Sequence, residues 1–283
     1  MFLHPIAWPG GARCAGCVTF DIDADSLIRC ARPDDADLRL QPVSMGRYGP
    51  TVAVPRILET YRRLGLRQTF FMPAWVMQAY PATVEAILAQ GHEIGHHSWC
   101  HEDPMDHSDD HEAELFERAL DVHVAMTGRK PRGYRAPVYS ITPPMVDRLI
   151  AHGMLYDSSM MADDLPYLVT TPRGELIELP PHWGTDDWPP FAHFAEIDYL
   201  MPVRAPSDGI RAFAEEFDAM HAAGGFWMPV LHPFLTGRLA RWHQMETLLT
   251  RIVETGDTWL APMEDIAAHA MAHRAELRIE SIG

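Results

Sequence analysis

Short apolar runs alternate with longer amphipathic stretches along nearly the whole chain. CAGCVTFDI (14–22) stays apolar until it ends in acids, which predicts a buried strand. Over 50–65 the apolar positions Val54, Ile57, Leu58, Tyr61 and Leu64 share one helical face, and Gly65 supplies the stop. RQTFFMP (67–73) predicts the next strand, and PATVEAILAQG (81–91) a helix with proline first and glycine last. GHEIG follows as a short strand and the acid-rich stretch 109–127 as a helix. PRGYRAP then holds a strand, 143–152 a helix and GMLYDSS a further strand. After an insertion, LIELP (176–180) and FWMPVLHP (226–233) read as strands on either side of a helix at 208–223. A helix over 238–255, the strand TWLAP (258–262) and a last helix close the pattern.

Repeated strand–helix units imply a parallel sheet. Seven or eight of them predict an α/β fold closed into a (β/α) barrel, in one domain over 1–283. Asp21 and Asp23 end the first strand, and the histidine cluster follows the third. Arg135 ends the fourth, Asp157 the fifth and His232 a late one. In a parallel barrel all of these meet on the C-terminal rim, where such folds do their chemistry.

Composition narrows the partners. The chain of 283 residues is 47% hydrophobic and 22% charged, ordinary values for a globular protein. It carries 23 Lys and Arg against 39 Asp and Glu, a net charge of −16. That surface repels phosphate backbones and anionic lipids, so neither nucleic acid nor membrane is an expected partner. No apolar run reaches membrane-spanning length, and MFLHPIAWPGGAR lacks the order of a secretion leader, so a cytoplasmic protein is expected. The four cysteines do not form the pattern of a disulfide framework. Cys14-Ala-Gly-Cys17 spells CxxC, a half zinc site or redox pair in form. With no second CxxC, and lying inside a strand that enters the core, it reads as buried free thiols.

Chemistry concentrates in HEIGHHSWCHE (92–102), where four histidines in eleven positions form two i, i+4 pairs. The first half reads as a strand, and along a strand His92 and His96 lie too far apart to share one ion. They are assigned to the scaffold. His97 and His101 open the turn or short helix that follows, where their spacing brings both imidazoles to one side, and Ser98 helps hold that turn. His107 and His111 share the spacing but sit among acids at a helix start, and read as solvated. Asp21-Ile-Asp23 offers two carboxylates on one side of a strand. One can bind a metal while the other accepts a proton from water. Two histidines, one aspartate and a water fit a catalytic zinc site with an open position.

Taken in order, these segments resemble the metal-dependent polysaccharide deacetylases, whose fold is a distorted (β/α) barrel. Thr19-Phe20-Asp21-Ile22-Asp23 looks like their first motif, except that one residue separates acids which most members carry side by side. His97-Ser98-Trp99-Cys100-His101 matches H-[ST]-x-x-H, Arg135-Ala136-Pro137 matches R-x-P, and Val230-Leu231-His232 resembles the late leucine-x-histidine motif. The resemblance implies a divalent metal, usually zinc, on Asp23, His97 and His101. It implies Asp21 as general base, Arg135 as the cation that keeps that base ionised, and His232 as general acid to the leaving nitrogen. A backbone N–H near Val138 would help hold the oxyanion, and Asp157 would orient His232.

PIAWPGGAR, GRYG (46–49), YDSSMMADDLPY, LPPHWGTDDWPPF and the separated D-x-D resemble one soluble branch of the superfamily. That branch holds cyclic imide hydrolases and a protein described as a peptidoglycan deacetylase, and it implies a homo-oligomer. The first expectation is ring opening of a small cyclic imide or amide, with Phe191, Trp183 and Trp188 either walling a small pocket or packing the insertion onto the barrel. Removal of N-acetyl groups from an amino-sugar polymer would use the same residues. A metal-holding protein without catalysis would not need Asp21 and His232 together. Arg47 either reaches a substrate carbonyl or carboxylate, or anchors its loop by an ion pair.

Overall fold

The computed structural model describes residues 2–282. Its strands are β1 (Cys14–Gly16), β2 (Thr19–Asp21), β3 (Thr69–Met72), β4 (Glu93–His96), β5 (Gly133–Tyr134), β6 (Tyr156–Asp157), β7 (Tyr167–Thr171), β8 (Gly174–Glu178), β9 (Phe226–Trp227), β10 (Val230–Leu231), β11 (Thr258–Leu260) and β12 (Ile279–Ser281). The main sheet runs β10-β2-β3-β4-β5-β6-β8-β7-β12, and every pair from β10 to β8 is parallel. A smaller sheet runs β11-β1-β9.

The two sheets share a chain path. β1 and β2 are one predicted strand broken at Cys17–Val18, where the Gln68 side-chain carbonyl takes the Val18 N–H at 2.6 Å. FWMPVLHP is likewise broken, at Met228–Pro229, because proline has no N–H for a ladder. Between β8 and β10 no strand pair closes the ring. An isolated parallel bridge between Asp186 and Val230 ties that side instead. This is the distorted α/β barrel that the resemblance implies.

The packing follows the sequence pattern. β3 and β4 are buried at every position, as strands covered on both faces must be. Phe20 stacks on Phe70 at 5.8 Å between ring centres, and Tyr61 from the helix Val54–Leu64 meets Phe70 edge-on. Each such ring removes enough apolar surface to stabilise the fold by about 1.5–3 kcal/mol. That helix stops where predicted, with Gly65 in the left-handed region at φ 68°.

The periodicity misses several short elements. β7, β12 and the helices Ser26–Ala31, Leu40–Tyr48 and Ala74–Ala79 are all real, and β7 forms an antiparallel hairpin with β8 inside the stretch read as an insertion. Cys14 and Cys17 are free, buried, and packed into different apolar clusters. Burial pushes both thiols up to about 12, so neither is poised for redox chemistry or metal binding. Among the described residues no helix is long and apolar enough to cross a membrane.

Candidate active site

The ends of β2, β4, β5 and β10 bring Asp21, Asp23, His97, His101, Arg135 and His232 together, as the rim argument predicts. After β2 the chain turns sharply. Ala24 takes a left-handed conformation (φ 52°), and the Ser26 N–H and hydroxyl both donate to the Asp23 carbonyl. The turn fixes the Asp23 carboxylate with zero exposure and no hydrogen bond to either oxygen. Around it stand His97 Nε2 at 3.5 Å, His101 Nε2 at 3.6 Å and His232 Nε2 at 3.4 Å. Burial opposes the charge on Asp23, but His101, His97 and His232 outweigh it and hold the carboxyl well below its usual range.

His97 sits one residue past β4. Its Nδ1 bonds the Arg135 carbonyl at 2.7 Å, which puts the proton on Nδ1 and leaves the Nε2 lone pair facing Asp23. That Nε2 is buried and has no partner. The HSWCH segment is a tight turn with no helix. Ser98 (φ 60°) and His101 (φ 64°) both lie in the left-handed region, where a non-glycine residue costs roughly 1–2 kcal/mol. The Ser98 hydroxyl does hold the turn, through Tyr134 at 3.0 Å, and Glu102 takes the Trp99 and Cys100 N–H groups at 2.9 and 2.6 Å. Strain held in place by surrounding bonds is a common mark of a built site.

The donor set fits a metal. Atoms bound 2.0–2.1 Å from a tetrahedral zinc lie roughly 3.3–3.4 Å from one another, close to the Asp23–histidine separations. Asp23, His97 and His101 would hold the ion, and the buried acceptors left without partners are those a cation would satisfy. Asp186, Asp187 and His232 form a second cluster of ligand-type groups. Its Asp187–His232 separation of 2.6 Å is that of a hydrogen bond and too short for two ligands of one ion.

Arg135 is fully buried beneath this floor. It donates to Asp21 Oδ1 at 2.7 Å, to Thr19 Oγ1 at 2.9 Å and to Ser158 Oγ at 2.9 Å, and its guanidinium lies 4.2 Å above the Phe71 ring. Asp21 therefore lies between Arg135 and the Asp23–histidine cluster, with Oδ2 at 3.9 Å from His97 Nε2.

The structure corrects the partner of His232. Asp157 points elsewhere, accepting bonds from Ser159 and sharing a buried proton-holding contact with Glu178. Asp187 orients His232, with Oδ1 at 2.6 Å from Nδ1, while Oδ2 takes the His232 and Thr236 N–H groups at 3.0 and 3.1 Å. Burial opposes the imidazolium, but Asp187, then Asp23 and Asp186, push its pKa up to about 10. The signal was present as the Asp-Asp of GTDDWPPF, whose second acid the bridge of Asp186 to Val230 places beside the late strand.

Arg47 is also corrected as a substrate contact. Its guanidinium is largely exposed, sits 3.6 Å from Asp25, and does not line the cavity. Gly46 beside it explains GRYG, since a Cβ there would lie 2.5 Å from the Ala24 carbonyl oxygen. Gly46→Ala is therefore expected to displace the turn that carries Asp23. It should cost about 1–3 kcal/mol of stability and weaken metal affinity, read by thermal melting and metal titration.

The other sequence assignments divide. Val138 (φ 48°) and Tyr139 (φ 60°) are consecutive left-handed residues on the cavity wall, and Trp183 packs edge-on against Tyr139 at 5.0 Å. Trp188 meets the His232 ring at 5.3 Å and also lines the cavity. Phe191 does not, being buried in the core beneath Arg241. His92 and His96 are neutral core residues, driven down by burial to about 4 and about 3. His92 accepts the Gln68 N–H, and His96 stacks on Phe116. His107, read as solvated, reaches the outer wall of the cavity. The cavity encloses about 690 Å³.

Residues 48–156 match the profile of the polysaccharide deacetylase family. A crystal structure provisionally described as a polysaccharide deacetylase from Mycobacterium smegmatis is 33% identical, with a TM-score of 0.93 over 99% of this chain and 96% of that one. The peptidoglycan deacetylase of Helicobacter pylori is 24% identical over 247 residues, 78% of this chain and 84% of that protein. A structure of Puue allantoinase shares the fold at 23% identity, with a TM-score of 0.78 over 94% of this chain and 93% of that one. The chain belongs to the polysaccharide deacetylase family of hydrolases.

Proposed function

We propose that the protein is a zinc-dependent hydrolase that opens small cyclic imides or related cyclic amides. The observation that supports it best is the depth of the reacting groups. Asp21, Asp23, His97 and His232 are each at most 6% exposed, at the floor of a cavity walled by Tyr139, Trp183 and Trp188. A flat ring can enter such a recess whole, and aromatic walls suit its faces.

A bound zinc would polarise the scissile carbonyl and lower the pKa of water at the open position. Asp21, oriented by its bond from Arg135, takes the proton from the attacking water. The Val138 backbone N–H supports the developing oxyanion. His232 delivers its Nε2 proton to the ring nitrogen as the C–N bond breaks, leaving a carboxylate and a primary amide on one open chain. Asp187 keeps the imidazolium oriented and charged until then.

The name of the Helicobacter pylori relative favours a second reading, removal of N-acetyl groups from an amino-sugar polymer. A hydrolysis panel separates the two. Succinimide, glutarimide, hydantoin and dihydrouracil are expected to be opened, with turnover abolished by chelator and restored by zinc. Release of acetate from N-acetylglucosamine oligomers, with no ring opened, would replace the first reading by the second.

A further inference from the structure

Asp186 enters the chemistry described so far only through its charge near His232, yet it lines the same cavity and is only 2% exposed. Its backbone is fixed by the bridge to Val230, two residues before His232. Oδ1 accepts the Trp188 N–H at 2.6 Å, and Oδ2 accepts the Tyr139 hydroxyl. One of its oxygens lies within 4.8 Å of a His232 ring nitrogen. A carboxylate offers about four acceptor positions, and the protein fills two. The remaining capacity is buried beside the proposed general acid, where an unmet acceptor is costly.

The rest of the wall says what would meet it. None of the residues lining the cavity is Lys or Arg, whereas Asp21, Asp23, Glu102, Asp103, Asp106 and Asp186 all do. Apart from the metal and the His232 imidazolium, which the reaction needs as its acid, nothing there suits a substrate carboxylate. The wall is built of acceptors and aromatic faces, and it suits a neutral ligand that carries N–H donors.

We propose that Asp186 is a substrate-binding residue that accepts the N–H of the scissile nitrogen, so that the site selects N–H imides and amides over their N-alkyl counterparts. This rests on the hydrolase reading for its probe. His232 approaches the nitrogen to deliver a proton, and Asp186 stands beside His232, where the hydrogen already on that nitrogen can be held. Fixing the N–H also turns the nitrogen lone pair towards His232. N-methylation removes the donor and strands the carboxylate, and sites built around a substrate N–H reject such analogues strongly.

The test compares succinimide with N-methylsuccinimide on the zinc-loaded protein, by kcat/KM and by calorimetric binding. The wild type should favour succinimide at least ~100-fold. Asp186→Ala should bring the ratio below ~10, and Asp186→Asn, which keeps one acceptor oxygen, should fall between. Tyr139→Phe leaves the carboxylate in place and should retain the ratio. A wild type indifferent to the methyl group, or an undiminished ratio in both Asp186 variants, overturns the proposal and leaves the hydrolase reading intact. Selective binding without ring opening does the reverse. Failure to bind either compound removes both.

Discussion

Replacing His97 or His101 by alanine is expected to strip the protein of bound divalent metal and lower turnover by more than the 10–100-fold typical of residues that merely support a ligand. Both imidazoles face one buried carboxylate, whose two oxygens accept no hydrogen bond. His92→Ala and His107→Ala should keep the metal. The first loses a core ring packed between Tyr61 and Phe70, and so loses stability without loss of metal. Metal content by atomic emission on the folded variants checks this directly, and metal loss from His92→Ala equal to that from His97→Ala would remove the site assignment.

The second large effect is expected from Asp187→Asn. Three protein donors, from the His232 N–H, the Thr236 N–H and the Thr236 hydroxyl, converge on Oδ2. They will hold the amide oxygen at that position and turn the amide NH2 towards His232 Nδ1. The imidazole then becomes a neutral acceptor there, with its one proton on Nε2, and a neutral imidazole is too weak an acid to serve the leaving nitrogen. Turnover should fall roughly 10²–10⁴-fold with metal binding retained.

Residual activity carries a pH signature. Burial lowers the His232 pKa and Asp187 raises it, so losing that charge shifts the acid's pKa down. Activity should then be lost at lower pH on the alkaline side than in the wild type. Asp157→Asn should change neither rate nor profile by more than a few-fold, since Asp157 faces Ser159 and Glu178. A severe loss there with a mild one in Asp187→Asn would restore Asp157 to the role the motif order implies.

The long amphipathic helices and the fully apolar strands were legible because burial writes itself into a period. Asp21, Asp23, His97, His101, Arg135 and His232 were legible because parallel strands carry whatever follows them to one rim. Asp187 was missed for a physical reason. It reaches His232 from an irregular segment paired to the sheet by an isolated bridge, and no periodicity marks such a contact. β7, β12 and the tight turns were equally silent, since left-handed residues such as Ser98 and His101 defy propensity and Ser98 is held by the distant Tyr134. GRYG was visible as a motif, but its meaning lay in how closely Gly46 approaches the backbone of Ala24.

The run Asp186-Asp187-Trp188 also constrains how this enzyme could change. Its backbone bridge ties the barrel's open side, Asp187 braces the acid, and Asp186 and Trp188 wall the cavity. A substitution there that alters which molecules fit also disturbs the proton donor, so lineages drifting towards new substrates would cross a valley of inactive intermediates. Trp183, Ile197 and His107 line the same cavity without touching His232 or its partner, and they give evolution or a laboratory library freer ground. Diversity between relatives that act on different substrates should therefore gather at those outer positions, around an inner triplet that stays constant.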